Sequence, residues 1–359
     1  LIGDLREKEN SFRKSTQDLD TVNNLVLFEA RSYLDQHKLI WNTSAIAYTY
    51  LGYVLGIVSI NLSNICLNLL GLILLSHSLV YSAYLSHEFM HGTIFKERHW
   101  NKIFGTAMLW LNGGCYYGFD ALTLQHIAHH VNRVDVFTFD IPAAIRQQPH
   151  LIRQIIIILE WFYFPIVSFW SRWRSIFVLW QNGKHQKERA RLISILLLRA
   201  TLFVLLGLIS LKAILFYFLS YVIMITILRW MDAFQHTYEA FSPGIPLPKR
   251  SNAEEQSNTY SNLLSRRYPW LNLLFLNFGY HNAHHALMKC PWHSLPKLDR
   301  EISLVNNFNY IPFSKQLINY HRFRITRLLE GQGQTVDRQG SQTYDRFYGA
   351  ADVSFLTLY

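Results

Sequence analysis

Charge is scarce in this sequence. Of 359 residues only 16 % are Asp, Glu, Lys or Arg, where a soluble domain carries about 25 %. Cysteine is scarcer still. The three present (Cys66, Cys115 and Cys290) are odd in number and form no Cys-x-x-Cys pair, which excludes a disulfide framework and a thiolate metal site. Each reads as a buried apolar side chain. The first forty residues are polar and charged, so no cleavable signal peptide is expected, and the chain opens on Leu1, as a fragment or a processed form does. No sharp shift in composition divides the chain, which therefore reads as one domain with polar ends. The net charge of +10 does not imply nucleic acid, because the basic residues follow a membrane topology rather than one face or helix.

What the sequence has instead is apolar surface: 50 % hydrophobic and 15 % aromatic residues. Two runs, 43–60 and 65–85, are separated by a short polar patch, and each approaches the roughly 20 residues that cross a bilayer as a helix. A second pair, 193–211 and 213–229, contains only Arg199 and Lys212 as charges. Lys212 marks the turn beside Ser210, and Arg199 is expected to snorkel to the headgroups. The stretches 102–118 and 151–170 are broken by Asn112, Gly113 and Gly114 or carry Arg153, Glu160 and Pro165, and they read as helices in the interface plane. Thirty-two of the 34 Lys and Arg fall in 1–42, 86–191 and 229–359. That asymmetry is what the positive-inside rule predicts for four spans with both termini cytosolic. The expected fold is all-α and integral to the membrane, with four transmembrane helices in two hairpins and a cytosolic helical cap. The domain limits are a polar segment 1–42, a membrane unit 43–300 and a cytosolic C-terminal segment 301–359.

Sixteen histidines are present, and nine fall in a pattern. They are His87 and His91; His126, His129 and His130; His281, His284 and His285; and a single His236. Residues i, i+3 and i+4 share one helical face, so their imidazoles converge on a point beside the helix. A chance His-x-x-His-His is expected roughly 0.03 times in such a chain; it occurs twice. His87 and His91 lie just past the second span and His236 just past the fourth, while the second and third groups sit in the two long cytosolic segments, so all nine fall on one side of a four-span topology. Had 151–170 crossed the bilayer, the third group would face the other side. Neutral imidazole suits Zn, Cu, Fe and Ni, and nine ligands are too many for one ion and about right for two. Glu88, Asp120, Asp232, Glu239 and Asn282 are candidates to accept or support the spare imidazole N–H groups; Asp232 stands at i−4 from His236. His77 reads as a satisfied core histidine. His37, His99, His150, His185 and His321 read as surface residues, and His293 as a weaker outer candidate.

Two other chemistries match parts of the pattern. His87-Glu88-Phe89-Met90-His91 matches the His-Glu-x-x-His zinc-protease motif, with Glu88 as general base, but that reading leaves six clustered histidines unexplained. A metal transporter would need ionisable residues at mid-bilayer depth, and these spans contain almost none.

The three boxes and the two apolar pairs resemble the membrane fatty-acid desaturase and hydroxylase family over roughly 48–300. The resemblance implies two non-haem irons with O2 as co-substrate, held by His87, His91, His126, His129, His130, His236, His281, His284 and His285. It implies a substrate that is an acyl lipid, an acyl carrier or a free fatty acid. Gly279-Tyr280-His281-Asn282-Ala283-His284-His285 is similar to the third box of sphingolipid-type desaturases. It begins with His281 where front-end desaturases have Gln, and no His-Pro-Gly-Gly haem motif is fused. An external electron donor such as ferredoxin or a b-type cytochrome is therefore expected. The leading expectation is introduction of a double bond; hydroxylation or ketolation of a lipid or carotenoid on the same site is the alternative.

The aromatic stretches 110–119 and 268–280 suit the walls of an acyl tunnel, yet interfacial packing accounts for them equally. Topology accounts for the basic run 184–191. The stretch 242–262 reads as a loop, and the tail from Gly331 as loosely ordered with a docking apolar end.

Overall fold

The computed structural model describes residues 38–136, 140–181, 186–241, 245–303, 309–336 and 342–351. His37, His185 and the apolar end of the tail lie outside them. The first apolar run forms α1 (Leu39–Asn61). A three-residue turn leads into α2 (Ile65–His91), whose N-cap Asn64 accepts from the amides of Cys66 and Leu67. The two helices approach closely because glycines face the contact. A Cβ on Gly71 would stand 2.6 Å from Ser59 Cβ, and one on Gly56 would stand 2.8 Å from Leu75 Cβ, the small-residue packing expected between helices in lipid.

The next four helices are α3 (Arg98–Asn112), α4 (Phe119–Asn132), α5 (Ile141–Arg146) and α6 (His150–Trp161). The helix expected over 102–118 stops at Asn112, because Gly113 adopts φ 78°, a conformation that glycine reaches without steric cost. The helix expected over 151–170 is broken. After α6 the chain turns, and α7 (Ile166–Gln181) leaves at 119°. Glu160 holds this bend: one carboxylate oxygen accepts the Val167 amide at 2.9 Å, and the other pairs with Arg229 at 2.9 Å. Both partners are buried.

α8 (Gln186–Ile209) and α9 (Leu211–Asp232) meet at Ser210, whose hydroxyl caps α9 through the Ala213 amide. Lys212 reaches across to the α1–α2 turn, donating to Leu62 O and to Asn68 Oδ1. Arg199 is half-buried, donates to Trp110 O at 2.8 Å and lies over the Tyr116 and Phe203 rings, satisfying a carbonyl group that the end of α3 leaves open. Among the described residues, α1, α2, α8 and α9 are long and apolar enough to cross a membrane; α6 and α7 would add a fifth candidate only if taken as one broken span.

Beyond α9 lie α10 (Asn252–Ser257), α11 (His281–Ala286), α12 (Leu295–Ser303), α13 (Phe313–Arg322) and α14 (Thr326–Glu330). The stretch 242–262 is thus not simply loop. Ser251 and Glu254 form a capping box that starts α10, a signal legible in Ser-x-x-Glu. Two short parallel ladders pair β1 (Asp135–Val136) with β2 (Ala240–Phe241), and β3 (Tyr260–Ser261) with β4 (Asn309–Tyr310). The C-terminal segment is not loose where it is described. Phe347 is fully buried against Phe234, and the Ala350 amide donates to Ala233 O at 2.7 Å. Of the cysteines, Cys115 and Cys290 are buried as expected, whereas Cys66 is exposed.

Candidate metal centre

Four segments bring the nine histidines together. The last turn of α2 carries His87 and His91, and α4 carries His126, His129 and His130. α11 carries His281, His284 and His285. His236 lies four residues beyond the end of α9 in a bridge with Thr259, fixed where the Tyr260 amide donates to Gln235 O at 2.8 Å. The third box is seated from behind: the Asn282 amide donates to Ser261 Oγ at 3.1 Å, and its side chain donates to Asn309 O at 2.8 Å.

The side chains gather in two adjoining groups. His87, His91, His126, His130 and His284 form one, and His129, His236 and His285 another, the ligand atoms within each lying within 4.8 Å of one another. His281 joins the second, its Nε2 lying 2.7 Å from that of His236. In the first group His91 Nε2 lies 3.3 Å from His87 Nε2 and 2.8 Å from His126 Nε2, while His130 Nε2 lies 3.2 Å from His126 Nε2 and 3.1 Å from His284 Nε2. In the second, His129 Nε2 lies 3.2 Å from His236 Nε2.

Hydrogen bonding among imidazoles does not account for this convergence. A neutral imidazole carries one N–H, so a nitrogen that faces two others cannot donate to both. A cation resolves the conflict. Ligand nitrogens about 2.1 Å from an ion stand roughly 3 Å apart when adjacent, which is the spacing found. The residues therefore fit a metal pair.

Burial prepares the donors. Removal from water, followed by the neighbouring imidazoles, holds His126, His130, His236, His281 and His285 well below the ordinary histidine range. His284 is brought down to about 3 by burial and then by His129. A site that keeps imidazoles unprotonated keeps their lone pairs available to a metal.

Of the outer candidates, Glu88 lies where the sequence suggests. Its Oε1 is 3.2 Å from His87 Nδ1, and its Oε2 accepts from Thr93 Oγ1 at 2.7 Å and from the Trp292 amide at 3.3 Å. Asp120 is turned away, exposed and paired with Lys102 at 2.5 Å, and Glu239 pairs with Arg250 at 3.0 Å. Asn282 supports the backbone of the third box rather than an imidazole. The i−4 argument for Asp232 fails because α9 ends at that residue. Thr259 Oγ1 instead lies 3.4 Å from His236 Nδ1.

One functional side chain escaped the sequence reading. Glu255, in α10, is buried, with Oε1 2.9 Å from His285 Nδ1 and Oε2 accepting from Arg133 Nε at 2.7 Å. Arg133 ends α4 in a left-handed conformation, φ 56°, and also donates to Arg250 O and Asn252 Oδ1. A carboxylate–histidine pair of this kind sets which ring nitrogen is left for a metal. The capping box would have revealed the helix that carries Glu255, although not its partner.

His77 is the satisfied histidine expected. His99, His150 and His321 are exposed, and His293 Nδ1 lies 3.0 Å from Ser294 Oγ.

A helical chain with four candidate membrane spans and a buried cluster of imidazoles belongs to the class of membrane metal-dependent proteins. Its sequence matches the fatty acid desaturase family over residues 64–316, a span that includes all nine histidines. The chain belongs to that family and is an oxidoreductase acting on fatty acids. No curated protein matches the sequence.

Proposed function

We propose that the chain is an O2-dependent di-iron membrane enzyme that introduces a double bond into the acyl chain of a fatty acid or lipid. The observation that carries this reading is the gathering of nine imidazoles, from four separate segments, into two adjoining groups at one end of four apolar helices. One ion would be held by His87, His91, His126, His130 and His284, and the other by His129, His236, His281 and His285. When bound, the two irons supply the O2-dependent removal of hydrogen from an unactivated methylene, which side chains alone cannot perform.

The residues contribute position and exclusion of water. Glu88 and Glu255 accept the Nδ1 protons of His87 and His285 and so turn each Nε2 inward. Burial keeps the imidazoles neutral and withholds water and stray protons from the reacting carbon. The family, the spans and the charge asymmetry support a cytosolic site served by an external electron donor such as ferredoxin or a b-type cytochrome.

The protease alternative is disfavoured by Glu88 itself. Both carboxylate oxygens are occupied and the residue is 3 % exposed, which leaves no base free to activate water.

The test is iron analysis of the purified chain together with lipid analysis of expressing cells. About two irons per chain and a lipid lacking two hydrogens are expected. A gain of oxygen would identify a hydroxylase or ketolase, and zinc without iron would overturn the reading.

A further inference from the structure

Three polar side chains of the first two apolar helices meet one stretch of non-helical backbone. Tyr48 of α1 lies with its hydroxyl 2.5 Å from His77 Nδ1, and His77 Nε2 lies 3.0 Å from Leu274 O. Tyr81 of α2 donates to Leu273 O. With Tyr48 as donor to Nδ1, His77 carries its proton on Nε2 and donates it to the carbonyl. Both acceptors belong to the 3-10 turn Pro269–Phe275. This turn is apolar outward: Tyr268, Trp270 and Leu274 are 48 %, 65 % and 46 % exposed. Asn272 ties the turn from within. It is buried, donates to Ser265 O and Pro269 O, and accepts from the Leu264 amide.

The depth of these contacts follows from the helices. At 1.5 Å per residue His77 lies about 18 Å of helix from Ile65, Tyr48 about 20 Å from Asn61, and Tyr81 about 24 Å from Ile65. The α1–α2 turn is polar, with Asn61 and Asn64 beside the Lys212–Asn68 contact, and marks the far boundary. A hydrocarbon core is about 30 Å thick, so Leu274 O and Leu273 O sit roughly 12 and 6 Å inside the near boundary. Non-helical backbone at that depth survives only where its carbonyls find protein partners. That is what His77 and Tyr81 provide.

We propose that Tyr268–Leu274 is a re-entrant segment inserted in the near leaflet, with bilayer acyl chains packed on Tyr268, Trp270 and Leu274 and its backbone held by the Tyr48–His77 pair and by Tyr81. This goes beyond the metal chemistry and rests only on α1 and α2 spanning the bilayer. The segment continues through two left-handed residues, Leu276 (φ 50°) and Asn277 (φ 57°), to Phe278, whose ring is edge-on to His87 with centroids 4.9 Å apart. Lipid contact and metal site therefore share one short stretch of chain.

The test uses the full chain in phosphatidylcholine vesicles, with Cys66→Ser removing the exposed thiol and Cys115 and Cys290 remaining buried. An environment-sensitive fluorophore is attached at Trp270→Cys, at Leu51→Cys in α1 or at Lys297→Cys in α12. Position 270 is expected to behave like position 51, quenched by nitroxide-bearing lipid and shielded from aqueous iodide, and unlike 297. Behaviour like 297, with 51 still lipid-exposed, overturns the proposal. Iodide quenching at 51 as well overturns the spanning reading and the insertion with it. Adding His77→Phe with Tyr81→Phe is expected to raise iodide quenching at 270 several-fold; an unchanged profile refutes the anchoring by these two side chains.

Discussion

On the proposed di-iron reading, replacing Glu255 by alanine should cost the chain one metal ion and leave the other. Glu255 is 6 % exposed and makes two charge-assisted contacts, to His285 Nδ1 at 2.9 Å and to Arg133 Nε at 2.7 Å. Its loss leaves the His285 N–H unpaired in the interior, at a cost of about 1–3 kcal/mol. Removing such an outer partner lowers metal affinity about 10- to 100-fold, or roughly 1.4–2.7 kcal/mol. His285 lies with His129 and His236 and also borders His130 of the five-histidine group, so the effect should fall chiefly on the ion that His129, His236 and His285 would hold. The assay is iron per chain against increasing chelator. The variant should fall from about two to about one at 10- to 100-fold less chelator than the parent, with the remaining ion unaffected. Glu255→Gln keeps an acceptor for His285 but turns an amide N–H2 or loses a charge toward Arg133, and should fall in between. Joint loss of both ions, or of neither, would refute the division into two groups.

His236→Ala should likewise leave about one iron per chain; retention of both would show that His236 is not a ligand. Arg229→Ala strands the buried Glu160 carboxylate, and should destabilise by about 3–5 kcal/mol, seen as a fall in Tm in detergent; an unchanged Tm would mean that the pair does not hold the α6–α7 bend. Asp299 supplies a pH test. Burial pushes its carboxyl up to about 6, against the opposing pull of its bonds from the Tyr310 hydroxyl. The folded state thus holds the proton more tightly than the unfolded chain, and the associated stability is present at low pH and lost as pH rises through about 6. Asp299→Asn should therefore raise Tm relative to the parent at pH above that value, with the difference closing in acid; a difference independent of pH would falsify the assignment.

The parts of this molecule that sequence disclosed are those governed by one local period. His126, His129 and His130, and His281, His284 and His285, are adjacent on a helical face whatever surrounds them, and the apolar runs of α1, α2, α8 and α9 declare themselves by length. The missing parts depend on where separate segments meet. For Arg199 the distance from the span end was legible, whereas the open carbonyl of Trp110 beside it was not. The i−4 argument for Asp232 failed for the opposite reason: helical spacing was extended past the residue where the helix stops.

Glu255 shows why the supporting groups are harder to find than the ligands. A ligand must come in a set, and a set with helical spacing is improbable by chance. A supporting carboxylate acts singly, through one hydrogen bond, from whichever segment the fold brings past. Here that segment is a six-residue helix started by the Ser251–Glu254 box, and the arginine that holds it closes the helix carrying His126, His129 and His130. Arg133 and Glu255 therefore tie the second and third boxes to each other through protein, so part of the alignment of the two groups is built before any metal enters. The Glu255 substitution tests that arrangement directly, since a site assembled by the metals alone would lose nothing selective when the carboxylate is removed.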